Sequence, residues 1–202
     1  SMNPTVNDIT KNNNNVVLIK SADIAAMYED EFQELWNRSR NKESVQNSFL
    51  IGDVPVSIYF CPEDECADKV VKELEKATRE VYFMTFSFTH TGITNAVLLR
   101  HEQNVTVRGV FETRQITEYE PYETFLFQQI DVRKDGNKNT MHHKVFIVDN
   151  GTVITGSFNP TKNANERNDE NLLIIKDETI AEMYLEEFGK VWDAARENSE
   201  KS

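Results

Sequence analysis

Residues 141–159 read MHHKVFIVDNGTVITGSFN. An apolar, β-branched run reaches Asp149, Asn150-Gly151 is among the strongest short hairpin signals, and a second β-branched run ends at Gly156. The pattern predicts two antiparallel strands, 141–149 and 152–156. His142 and Lys144 are two residues apart and leave one face of the first strand, while His143 points to the other face and reads as structural. Beyond the second strand Ser157 and Asn159 again share a face, and hairpin pairing sets them beside His142 and Lys144. An imidazole, an ammonium and two neutral hydrogen-bonding groups are thereby gathered at one strand end.

Working outward, residues 55–60 alternate as a strand, 63–78 have helical spacing through Val70, Val71, Leu74 and Ala77, and 81–88 form an apolar, aromatic strand. A helix is expected over 91–101, strands over 105–111, 130–133 and 172–175, and a last helix over 177–196; residues 117–129 have no decisive period. Strands alternating with helices, plus one hairpin, imply an α/β fold: a mixed β-sheet flanked by helices on both faces.

Sliding the chain against itself by 156 residues aligns 3–36 with 159–192, and 15 of the 34 positions are identical. Composition alone gives roughly two such matches. The identities include the loop Asn-Pro-Thr as well as Met27, Tyr28, Phe32 and Trp36 of the helix, so helical periodicity does not explain them. Residues 1–36 are therefore read as the closing strand and helix of a preceding unit. Residues 37–54, polar and aperiodic, read as the linker, and 55–202 as a complete second unit. In this alignment Ser1 and Asn3 match Ser157 and Asn159, Asn14 matches Glu170, and no earlier His-x-Lys exists.

The remaining composition narrows the classes. With 39% hydrophobic and 28% charged residues the chain has globular proportions, and its polar start contains no signal-peptide or membrane-spanning apolar run. Compartment stays open, and a longer protein carrying this chain could be secreted. A net charge of -12 repels phosphate backbones on average, but 177–200 holds eight Asp/Glu against Lys190 and Arg196, whereas 133–148 holds four Lys/Arg against one Asp. Cys61 and Cys66 are too few for a disulfide framework and read as structural, paired or free. His90 and His101 read as surface or packing residues.

The assembled pattern, H-x-K-x-x-x-x-D, six residues, then G-S-x-N, comprises His142, Lys144, Asp149, Gly156, Ser157 and Asn159. It resembles the phospholipase D superfamily, whose two-copy phosphodiesterases carry this motif. Asn168-Asp169-Glu170-Asn171 is similar to the family's acidic position before the last strand, and Phe86-Ser87-Phe88-Thr89 and Phe111-Glu112 are similar to strand ends of its tandem, secreted-type members. The chemistry asks for these residue types. A diester's negative charge repels nucleophiles, so a site needs fixed positive charge and donors at the non-bridging oxygens, here Lys144, Ser157 and Asn159. By resemblance, the histidine of one motif attacks phosphorus to form a phosphohistidine, and that of the other serves as general acid and then base. The resemblance implies no metal and no other cofactor. It groups Asp149 and Glu170 with His142 and Lys144 as catalytic residues, Glu170 orienting a histidine, of its own motif or the partner's, and Asp149 supporting the motif's local structure.

The partners implied are a phosphodiester substrate and a second motif, supplied by an upstream repeat or by a homodimer partner. Phospholipid is the first substrate reading, with 119–127 (YEPYETFLF) as a candidate apolar lip. A metal-independent endonuclease on DNA or RNA is the second, with Phe86, Phe88, Tyr119, Tyr122 and Phe125 as stacking candidates. A catalytically idle half-site acting as an interaction module is the third.

Overall fold

The computed structural model describes residues 1–39 and 47–199. After a capped turn, α1 (Val6–Thr10), comes α2 (Ala22–Asn37); then follow β1 (Ser48–Ile51), β2 (Val54–Cys61), α3 (Cys66–Leu74), β3 (Glu80–Thr85), α4 (Thr91–Glu102) and β4 (Thr106–Phe111). The chain continues through α5 (Tyr122–Phe127), β5 (Asp131–Lys134), β6 (Lys144–Val148), β7 (Thr152–Gly156), α6 (Lys162–Glu166), β8 (Glu170–Lys176) and α7 (Glu178–Ser199). All eight strands form one sheet in the order β1-β2-β8-β7-β6-β3-β4-β5. β3, β4 and β5 run parallel and the other neighbours antiparallel, so the sheet is mixed, as expected.

Strand alternation sends each residue to one of two cores. Phe83, Phe146, Val148 and Ile154 meet α3, α4 and α5 through Val70, Leu74, Ile93, Val97 and Phe125. Met84, Val145, Ile147 and Val153 meet α7 through Phe188, Val191 and Trp192. Farther along this second face, Ile24 of α2 packs on Ile58, Leu173 and Ile175. Helices therefore cover both faces. Cys61 and Cys66 are joined in a disulfide at the mouth of α3, which resolves the open pairing.

Two segments depart from expectation. Of the presumed linker, residues 40–46 lie outside the described residues, while β1 folds back on β2 through Gly52-Asp53, with Gly52 at φ 63°. This four-residue strand is at the sheet edge with only one face half-covered, so its sequence shows little apolar periodicity. The closing strand expected within 1–36 does not form: residues 14–20, aligned with β8, belong to no strand, and the bridge of Asn13 to Met141 and the bond from Asn15 Nδ2 to Thr155 Oγ1 at 2.9 Å tie this segment to the sheet. Val16 and Leu18 are exposed there, because the segment lacks the two flanking strands that bury Leu172 and Ile174.

The internal repetition extends to individual bonds. Helices α1 and α6 begin and end 156 residues apart, and Thr5 and Thr161 cap them identically, accepting from the N–H of Asp8 and Ala164 at 3.2 and 3.1 Å. Ser1 Oγ accepts from Asn15 N–H at 3.2 Å and Ser157 Oγ from Asn171 N–H at 2.9 Å. Phe32 stacks on Trp36 at 5.9 Å and Phe188 on Trp192 at 5.5 Å. One difference is burial: Phe188 and Trp192 are both 5% exposed, Phe32 and Trp36 52% and 74%.

Candidate active site

The site begins where β6 is entered. Met141 N–H donates to Glu112 Oε2 at 2.7 Å, His142 N–H to the Asn13 carbonyl at 2.9 Å, and Phe86 N–H to the His143 carbonyl at 2.8 Å. These bonds replace strand pairing over 141–143 and explain why β6 starts at Lys144 rather than at Met141. The His142 ring meets Phe86 edge to face at 4.7 Å. Its Nδ1 is 2.9 Å from the Ser1 carbonyl oxygen and 3.2 Å from Asn14 Oδ1. Nε2 has no hydrogen-bond partner among the described residues. Burial, and then the Lys144 charge, hold the imidazole below its ordinary pKa.

Lys144 is 5% exposed. Its Nζ donates to the His142 carbonyl at 2.9 Å and lies 5.0 Å from the Phe86 ring centroid. Burial pushes its pKa down to about 7, with Glu170 and Asp8 opposing the fall. An ammonium so poorly hydrated, with no carboxylate in contact, is poised to accept an anion.

The other predicted residues divide. Asp149 lies at the far end of β6, about 23 Å of extended strand from His142. Its carboxylate accepts from the N–H groups of Thr78, Arg79 and Glu80 at 2.9, 2.8 and 3.0 Å and from the Thr78 hydroxyl at 2.8 Å. These bonds hold it below the usual carboxylate range against the effect of burial. It is a support and takes no place beside the imidazole, which corrects its grouping with the catalytic residues. Ser157 Oγ is engaged with Asn171, tying the end of β7 to β8. Asn159 keeps a buried Oδ1 with no hydrogen-bond partner among the described residues. Glu170 accepts from Asn168 Nδ2 at 3.1 Å and acts on Lys144 through its charge; it makes no bond to His142. Gly156, at φ 145°, lets the chain pass Asn171: a Cβ there would stand 2.2 Å from the Asn171 carbonyl oxygen.

His143 is fully buried on the opposite face, as its parity requires, with Nδ1 3.2 Å from Asn15 Oδ1 and Nε2 3.4 Å from Glu187 Oε1. His90 caps α4 by accepting from Ile93 N–H, and His101 meets the Gln128 carbonyl at the surface. Sequence reading passed over Asn14, Asn15 and Glu112 as contributors. The signal for Asn14 was present, since the 156-residue offset places it on Glu170; nothing in the sequence linked Glu112 to the Met141 backbone.

The aromatic candidates are corrected. Phe88, Tyr122 and Phe125 are buried in the core and cannot stack on a ligand. Phe86 borders His142, and Tyr119 is exposed next to Glu120, whose carboxylate accepts from Phe88 N–H at 2.7 Å. The lip fails for Leu126 and Phe127, exposed though they are. They precede β5, which runs parallel to β4 toward the site, so they lie at the other end of the sheet.

Among the described residues no group of three or more His, Cys, Asp and Glu side chains is arranged to hold a metal ion. No helix among them is long and apolar enough to cross a membrane.

Comparison with known proteins accords with this geometry. The family described as Cardiolipin synthase, PLD-like domain, matches residues 70–192. A phospholipase D of Rickettsia prowazekii (strain Madrid E) is 33% identical over 132 residues, covering 65% of this chain and 64% of that protein. A mitochondrial cardiolipin hydrolase of Xenopus tropicalis is 31% identical over 145 residues, covering 68% of each. The crystal structure of Nuc from Salmonella typhimurium, a phospholipase D family member, superposes with a TM-score of 0.66 at 32% identity, covering 70% of this chain and 95% of that one. The chain spans 64–66% of the length of the Rickettsia relatives it matches. With a mixed sheet of the same fold, and the family match covering more than half of its residues, the chain belongs to the phospholipase D superfamily, among the PLD-like domains.

Proposed function

We propose that this chain carries half of a phosphodiesterase site acting on a phospholipid diester through a phosphohistidine. The observation that carries the reading is the His142 ring, with Nε2 free, beside the buried ammonium of Lys144. Two histidines share the reaction. The Nε2 of one attacks phosphorus and the bond to the leaving oxygen breaks, while the other, protonated, gives that oxygen its proton. Water, deprotonated by the second ring, then displaces the first. Lys144 and Asn159 neutralise and hold the non-bridging oxygens.

His142 is one of the two; the other comes from a second motif. Residues 1–36 as the close of a preceding unit, joined to a complete unit that takes in β1, account for the duplicated bonds and for the bare Phe32–Trp36 stack. Glu170, which makes no bond to His142, is on this reading the carboxylate for the incoming ring. A homodimer bringing two His142 together is the other source.

A phospholipid is favoured because relatives named phospholipase D and cardiolipin hydrolase share this domain. A nucleic-acid diester is the second reading, favoured by Lys11, Arg114 and Lys138, exposed cations beside the 137–141 loop that leads to His142. The test is hydrolysis of bis-p-nitrophenyl phosphate together with solution mass, for the wild type and His142→Ala. A loss of at least about a hundredfold in the variant supports the phosphodiesterase. Equal rates in the two proteins when the chain is a dimer overturn it, and an idle interaction module is then what remains, whereas an inactive monomer is half an enzyme that needs its upstream motif. Steep weakening of activity on DNA or RNA with added salt selects the second reading over the first.

A further inference from the structure

We propose that Asn14 is the positioning residue for His142: its Oδ1 receives the Nδ1–H and leaves Nε2 as the nitrogen that faces the substrate. The amide's orientation is settled by its other end, where Asn14 Nδ2 donates to the Asp8 carbonyl at 3.1 Å, so Oδ1 is the atom turned to the ring, 3.2 Å from Nδ1. The second atom at Nδ1, the Ser1 carbonyl oxygen, is also an acceptor. Facing two acceptors, Nδ1 must carry the hydrogen, which fixes the tautomer.

The chemistry of the partner matters as much as its place. At the corresponding position of the second unit stands Glu170. A carboxylate on Nδ1 would favour the imidazolium; an amide accepts the same hydrogen bond without a charge to reward it. The groups facing His142 are Lys144 on β6, which disfavours a charged ring, and the Ser1 carbonyl and Asp8 on α1, which favour it. The Asp8 carboxylate is itself engaged by Asn3 N–H and Asn12 Nδ2. Phe86 adds no charge. Asn14 therefore fixes the tautomer without adding a charge that would favour the imidazolium; burial and the Lys144 charge keep the ring below its ordinary pKa. The relevance of Nε2 to a diester rests on the function proposed above; the tautomer does not.

The experiment follows the ring nitrogens of His142 by long-range proton–nitrogen correlation through a pH titration of the full chain. In the wild type the Nδ1–H tautomer dominates once the ring is neutral, and its midpoint falls below the ordinary 6.5. Asn14→Asp, nearly isosteric, raises the midpoint by about one pH unit or more. In Asn14→Leu the two tautomers mix. A wild-type midpoint in Asn14→Asp overturns the proposal, as does a wild-type tautomer in Asn14→Leu, which would assign the role to the Ser1 carbonyl. Because no turnover is read, a dimeric chain that is inactive yet shows the expected titrations refutes the phosphodiesterase and leaves the positioning role standing.

Discussion

Lys144 donates its Nζ to the carbonyl oxygen of His142, 2.9 Å away, so the cation of the site is held by the backbone of the residue it serves. That bond does not repay the burial of an ammonium. Its folded pKa of about 7 lies below the ordinary 10.5, so between these values the unfolded chain binds more protons and stability rises with pH. Below pH 7 the full cost stands, on the order of a few kcal/mol. Lys144→Met should unfold at a higher temperature than wild type at neutral and acid pH, with the gain shrinking toward pH 10.5. Thermal scans across that range check it, and a variant less stable at every pH would sink the idea.

The same two groups set a pH–rate profile. A free imidazole and a charged lysine coexist above the His142 midpoint, itself under 6.5, and below about 7. On the proposed function, kcat/KM should peak on the acid side of neutrality and fall in the alkaline limb as Lys144 loses its proton. Lys144→Arg, charged throughout, should carry the alkaline limb upward. A plateau extending well into alkaline pH in the wild type contradicts the assignment.

Asp149 makes a separable prediction. Asp149→Ala strips four hydrogen bonds from the turn before β3 and should destabilise the fold by about 1–3 kcal/mol, read from denaturant midpoints. Its folded pKa is depressed, so the stability it gives is present above the ordinary carboxylate value of 3.8 and is lost as pH falls through the folded one. The variant should therefore lose less on acidification than the wild type. Turnover per folded molecule should hold, and a collapse of kcat in folded Asp149→Ala would return the residue to the chemistry.

Gly156→Ala places a methyl 2.2 Å from the Asn171 carbonyl oxygen at a φ of 145° that side chains avoid. The expected loss is about 2 kcal/mol or more, seen as a lowered Tm. An unchanged Tm would mean that β7 and β8 part at little cost.

The hairpin was legible because its signals are local. Asn150-Gly151 set the turn, and strand parity separated His142 and Lys144 from His143. The mixed sheet followed from strands alternating with helices. What escaped was what depends on distant chain: Glu112 reaches Met141, and Asn14 reaches His142, across separations of 29 and 128 residues. The aromatics misled for a different reason, since the apolar ring that suits a ligand suits a core equally, and Phe88 and Phe125 went to the core. β1 was hidden by its half-exposed edge position.

The paired bonds Ser1–Asn15 and Ser157–Asn171 give the molecule an internal control. The second clasp sits between β7 and β8, locked into the sheet; the first closes a stretch of chain with open flanks. Amide hydrogen exchange at Asn15 and Asn171 would compare one and the same clasp in two settings, within a single sample. The difference in protection between them would isolate what neighbouring strands add to an identical local contact.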